Sequence, residues 1–219
     1  PTTGDPPTPT ADFLPQARTR ARQNGIHLTP RPEDCSFQPG EGPWQSTLLE
    51  GRPAFLNLAN GGRWTLDDQR WVSDRGEVFA WREGTWTLRA PTACNLEGSL
   101  LVEGASLEIQ TDLTLGGRVV VWNGWLLLKA PLQVTPGLDT LAVAVLAPGA
   151  ATGALDWARD PIPHPGDLLM PTGTARLTVG DLTRPEETGG VVLAQARLVK
   201  RGCRVQVAGV VAAGRADMD

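Results

Sequence analysis

From Leu100 onward the chain repeats a short unit in which two apolar residues flank a third position. The units are Leu100-Leu-Val102, Leu107-Glu-Ile109, Leu113-Thr-Leu115, Val119-Val-Val121, Leu126-Leu-Leu128, Leu132-Gln-Val134 and Leu141-Ala-Val143. Their first members lie 7, 6, 6, 7, 6 and 9 residues apart, and glycine opens several units, at Gly98, Gly104, Gly117 and Gly124. A period of two puts both apolar members on one face of a strand. Strands this short, re-aimed every six or seven residues, predict a β-solenoid. Each unit then forms one face, three faces form a coil, and coils stacked about 4.8 Å apart join the apolar residues into ladders. Residues 100–143 supply little more than two coils, fewer than such a stack needs. Leu177-Thr-Val179 and residues 191–199 and 205–212 are expected to add layers. Residues 191–211, broken at Lys200-Arg201-Gly202-Cys203, read either as a hairpin or as two adjacent solenoid faces. The competing architecture is a sandwich of short strands. No run carries the 3.6-residue period of a helix.

Upstream the pattern changes. Residues 1–10 are polar and proline-rich and read as an extended tail. Asp12 as N-cap, Pro15 in the first turn and Asn24-Gly25 as the stop predict one short helix. Arg18, Arg20 and Arg22 fan around that helix, as a solvated face first and an anion-binding face second. Residues 28–43, with Pro30, Pro32 and Pro39, read as loop. Residues 54–58, Trp64-Thr-Leu66, residues 78–81 and Trp86-Thr-Leu88 then alternate around turns at Asn60-Gly61, Asp67-Asp68 and Asp74-Arg75-Gly76. They predict an antiparallel, tryptophan-rich meander. The repeat lapses over residues 148–171, a proline-rich surface excursion with a helical turn expected at 155–159. Residues 215–219 are expected to fray. The expected fold is therefore mainly β: a tail (1–10), a helix with a β-rich region (11–97) and a small β-solenoid (98–214).

Composition narrows the chemistry. The net charge of −4 excludes a globally basic nucleic-acid binder and leaves room for a local patch. No apolar run is long enough to span a membrane. Pro1 is not a natural initiator, so the chain is expected to be a processed or trimmed form. Cys35, Cys94 and Cys203 are too scattered for a structural zinc site, and no metal or cofactor is expected. Cys35 and Cys94 are the favoured disulfide pair of an exported protein. His27 and His164 read as surface loop histidines. The common hydrolase and nucleotide-binding signatures do not occur. The carboxylate pairs Glu33-Asp34, Asp67-Asp68 and Glu186-Glu187 read as solvated turn charges, and Asp112, Arg118 and Lys129, the charges noted within the repeat, form no cluster. No catalytic residue is therefore assigned.

Two constellations point to binding. Trp122 and Trp125 bracket a turn at Asn123-Gly124, and exposed rings there would stack on bases or sugars. Arg197, Lys200, Arg201 and Arg204 gather four cations around Gly202, a knot suited to phosphates.

The stretches EGSLLVEGASLEI and GGRVVVWNGWLLL resemble bacterial β-solenoid domains, and GGVVLAQARLVKRGCRVQVAGVVAAG is similar to their closing coils. The layout resembles the solenoid-bearing minor pilins of the competence type IV pilus in Thermus- and Deinococcus-like bacteria. That resemblance implies a non-enzymatic head on the cell surface, or in the periplasm, engaged in DNA uptake or adhesion. Its partners would be DNA bound without sequence preference, surface polysaccharide, or other pilus subunits. The alternatives are a carbohydrate-active β-helix enzyme and a self-assembling solenoid.

Overall fold

The structure is a computed structural model and describes residues 10–136, 140–148, 162–171, 173–184 and 190–218. The tail at residues 1–9 and the helical turn expected at 155–159 lie outside the described residues.

The chain opens with helix α1 (Phe13–Gln23) and strand β1 (Gly25–Leu28). Asp12 sits just before the helix but contributes only its backbone carbonyl, to the Gln16 N–H (3.1 Å). After β1 come β2 (Ser36–Gln38) and a meander of β3 (Trp44–Leu49), β4 (Arg52–Asn57), β5 (Arg63–Asp67), β6 (Arg70–Ser73) and β7 (Val78–Arg82). β8 (Thr85–Arg89) and β9 (Cys94–Leu96) follow. Next are β10 (Ser99–Glu103), β11 (Ser106–Ile109), β12 (Leu113–Leu115), β13 (Val119–Trp122), β14 (Leu126–Leu128) and β15 (Pro131–Val134). The chain closes with β16 (Thr140–Leu146), β17 (Leu168–Met170), β18 (Arg176–Val179), β19 (Gly190–Lys200), β20 (Arg204–Val207) and β21 (Gly209–Met218).

Pairing makes these strands a three-faced parallel solenoid. Face 1 carries the ladder Ile26–Leu100–Val119–Val143–Val192–Val211. Face 2 carries Trp86–Leu107–Leu126–Leu168–Leu198–Ala216. Face 3 carries Cys94–Leu113–Leu132–Leu177–Val205. The expected burial holds: Leu107, Ile109, Val119 and Val121 are all 0% exposed. β19 and β21 each span faces 1 and 2 without a break, so residues 191–211 are adjacent faces and not a hairpin. Face 3 turns a polar row outward, Asn95, Thr114, Gln133, Thr178 and Gln206.

The first coil begins earlier than the repeat suggested. β1, β8 and β9 form it, although residues 29–84 separate its first two strands. β8 is thus the last strand of the antiparallel meander and the first strand of face 2. β2 falls where the prolines had suggested loop, β1 enters that stretch at Leu28, and β21 runs to Met218 where fraying was expected. Strands form there because strands distant in sequence supply the hydrogen bonds that a local reading cannot see.

One continuous core results. The aliphatic ladders run into an aromatic cluster of Phe37, Phe55, Trp64, Trp71 and Phe79, with ring centroids 4.8–6.2 Å apart. Two buried indole N–H groups find carbonyls, Trp71 on Pro32 (2.8 Å) and Trp86 on Thr29 (2.9 Å). A second, smaller core lies outside face 1. There α1 lays Phe13, Leu14, Ala17 and Ala21 over Leu101, Val120 and Trp122.

The expected disulfide does not form. Cys94 opens β9 and joins the core, while Cys35 follows a 3₁₀ turn (Pro32–Asp34) with its thiol toward the Arg31 carbonyl at 3.7 Å. Burial pushes both thiols up to about 12, which leaves them unreactive. His27 is also corrected: it lies in β1, 2% exposed, beneath α1. No helix among the described residues is long and apolar enough to cross a membrane.

Candidate functional site

The basic residues expected around Gly202 divide into two kinds. β19 ends at Lys200, Gly202 turns the chain with a φ of +61°, and β20 starts at Arg204. Cys203 anchors that turn, its thiol buried against the carbonyls of Met170 (3.2 Å) and Arg201 (3.0 Å). Lys200 is half-exposed, and Arg201 and Arg204 project into solvent. The ladder adds Arg176, exposed and in register with Arg204 one coil earlier. Among the described residues none of these four cations forms an ion pair. Sequence reasoning missed Arg176 because it lies outside the cluster in sequence. The usable signal was positional: Arg176 precedes Leu177-Thr-Val179 as Arg204 precedes Val205-Gln-Val207.

Arg197 is not part of this surface. It is 6% exposed and faces Asp167, which is 0% exposed. Its Nε lies 3.1 Å and its Nη2 2.6 Å from the Asp167 carboxylate, and Nη2 also donates to the Ile162 carbonyl at 3.1 Å. Asp167 further accepts the His164 N–H (2.8 Å). The pair therefore ties the return of the excursion after β16 to the stack. A carboxylate this buried requires a cation beside it.

The tryptophans are not brought to the basic corner either. Trp122 lies on the outer side of face 1, its ring 6.1 Å from that of Phe13 and nearly parallel to it, so α1 covers one side. Trp125 is half-buried at the corner between faces 1 and 2. The six residues expected to act together thus occupy four places.

A second feature lies at the other end, where the meander meets β9. A cleft of about 280 Å³ is lined by Trp44, Trp64, Asn57, Glu41, Glu77 and Glu97, among others. Its walls are pre-organised. Asn57 donates to the Glu41 carbonyl (2.9 Å), the Glu97 carboxylate accepts the Glu41 N–H (3.0 Å), and Glu77 accepts the Ser73 hydroxyl. The Trp44 indole N–H is buried without a hydrogen-bond partner. Carboxylate and amide acceptors beside indole rings suit hydroxyl-rich or cationic groups, and repel polyanions.

Under α1 a third cluster forms. Glu103 pairs with Arg18 of α1 and lies 3.2 Å from His27 Nε2, while His27 Nδ1 is buried without a partner. Arg18 hydrogen bonding holds the Glu103 carboxyl below its ordinary range. Burial lowers the His27 pKa, against the opposing pull of Glu103. The cluster seats the helix. No family model, curated protein or solved structure matches this chain.

Proposed function

We propose that the chain is a non-enzymatic binding module of the bacterial surface that holds DNA without sequence preference at the corner formed by Arg176, Lys200, Arg201 and Arg204. The observation behind this reading is that four cations on adjacent coils stand together with no acidic partner among the described residues. The resemblance to minor-pilin heads is consistent with it. Because the whole chain carries −4, long-range attraction is weak and affinity rests on this local cluster.

A second reading rests on the cleft between the meander and β9, whose indoles and carboxylates suit a polysaccharide, either held for adhesion or cleaved. One titration separates the two. Fluorescent DNA and a neutral polysaccharide are titrated with the wild type and with Lys200→Glu/Arg201→Glu at about 50 and 200 mM salt. DNA binding that weakens steeply with salt and is lost in the double variant is the expected result. Equal DNA affinity in both proteins removes the corner, and salt-insensitive polysaccharide binding retained by the double variant moves the function to the cleft.

A further inference from the structure

Arg118 stands at the corner between faces 3 and 1, where Gly116 and Gly117 turn the chain from β12 into β13. Its carbonyl accepts the Leu100 N–H (2.7 Å), so the ladder fixes its backbone. Across from it, Arg20 projects from the last turn of α1. Both side chains line a concavity of about 270 Å³, together with Gln23, Asn24 and Ser99.

Several other cations of this chain are matched with acids. Arg18, one turn-face away on the same helix, meets Glu103; Arg52 and Arg70 share Asp67; Arg197 has Asp167. Acidic residues outnumber basic ones, 24 to 20. Yet among the described residues no carboxylate pairs with Arg20 or Arg118. Arg118 is half-buried, and its charge is disfavoured first by desolvation and then by Arg20. The negative end of α1 explains a cation at Arg20, but not a second, half-buried one facing it from the solenoid. That helix end carries about half a negative charge, which two full positive charges outweigh.

We infer that this concavity binds a tetrahedral oxyanion, a phosphate or sulfate group, clasped between Arg20 and Arg118. Two guanidinium forks supply planar, charge-assisted donors, and the Ser99 hydroxyl and the Gln23 and Asn24 amides line the rest of the wall. The open mouth admits either the free ion or one such group on a larger molecule. The site lies on a different corner from Lys200 and Arg201, and the inference does not rest on the DNA reading.

The test uses inorganic phosphate at constant ionic strength, followed by calorimetry and amide chemical shifts. The wild type is expected to show saturable one-to-one binding at millimolar or lower concentration. Arg118→Gln and Arg20→Gln should each weaken it about tenfold or more, the worth of a charged hydrogen bond. Arg22→Gln and Lys200→Glu/Arg201→Glu should leave it unchanged. In phosphate-free buffer Arg118→Gln should melt no lower than the wild type, since it removes a half-buried like charge, and this separates lost binding from lost folding. Repeating the titration with a dinucleotide phosphodiester and with inorganic sulfate identifies the source that fits the clasp. Absence of saturable phosphate binding, or unchanged affinity in both Arg20→Gln and Arg118→Gln, overturns the inference.

Discussion

His27 is a neutral imidazole packed under a helix, and acid must either charge it in place or displace it. Burial lowers its pKa below the ordinary 6.5, so as pH falls below that value the unfolded chain takes up a proton that the folded chain refuses. Stability therefore falls with pH in that window, by up to about 1.4 kcal/mol for each pH unit crossed. Glu103 acts lower down: its pKa is lowered from 4.5, so its contribution is present above that value and is lost as pH falls through the folded-state value. Urea midpoints between pH 7.5 and 5 should decline for the wild type, and His27→Gln should flatten the decline. An identical slope in the variant would assign the acid sensitivity elsewhere. The sequence hid this residue because neighbouring Pro30 and Pro32 marked a loop, and only the pairing of His27 with Leu101 reveals it as an outward ladder position. Arg197 was hidden for a similar reason, since its partner Asp167 lies thirty positions upstream, across the stack.

Among the elements, the ladder units were readable at once, because each carries its own period of two and several open on a glycine. The corners show why glycine is needed. A Cβ on Gly124 would overlap the Ala105 carbonyl oxygen of the coil below, a backbone atom with no freedom to move aside. Gly124→Val should cost roughly 1–3 kcal/mol, as overpacking does, with the denaturant slope unchanged. A neutral result in urea titration would mean that the corner relaxes. The helix was readable too, from Pro15 and Asn24-Gly25. Its seat was not, because Leu101 and Val120, which receive it, are the outward middle members of units already accounted for by their inward neighbours, and Trp122 lies just after its unit. The first coil was missed since nothing local joins β1 to β8 across residues 29–84.

At the scale of the molecule, the two ends of the stack are built differently. At the first coil, β1 is covered by antiparallel β2 and β8 by β7, which covers the edges of faces 1 and 2 and adds the aromatic cluster. At the last coil β21 pairs, among the described residues, only with β19 and leaves Val210 59% exposed. A stack of nearest neighbours loosens from its open end. Hydrogen exchange should therefore be fastest in β21 and slowest in β10–β15, by at least about tenfold; uniform protection would show the coils to unfold as one block. The two long connections, residues 29–84 in the first coil and 147–167 in the fourth, both join face 1 to face 2. The second and third coils make that join at a corner of a few residues, around Ala105 and Gly124. Lengthening a connection several-fold adds only about 1–2 kcal/mol of closure entropy, while the ladder beneath it keeps its register. This edge of the prism therefore works as a row of sockets, where foreign sequence can be grafted at a defined height along the stack.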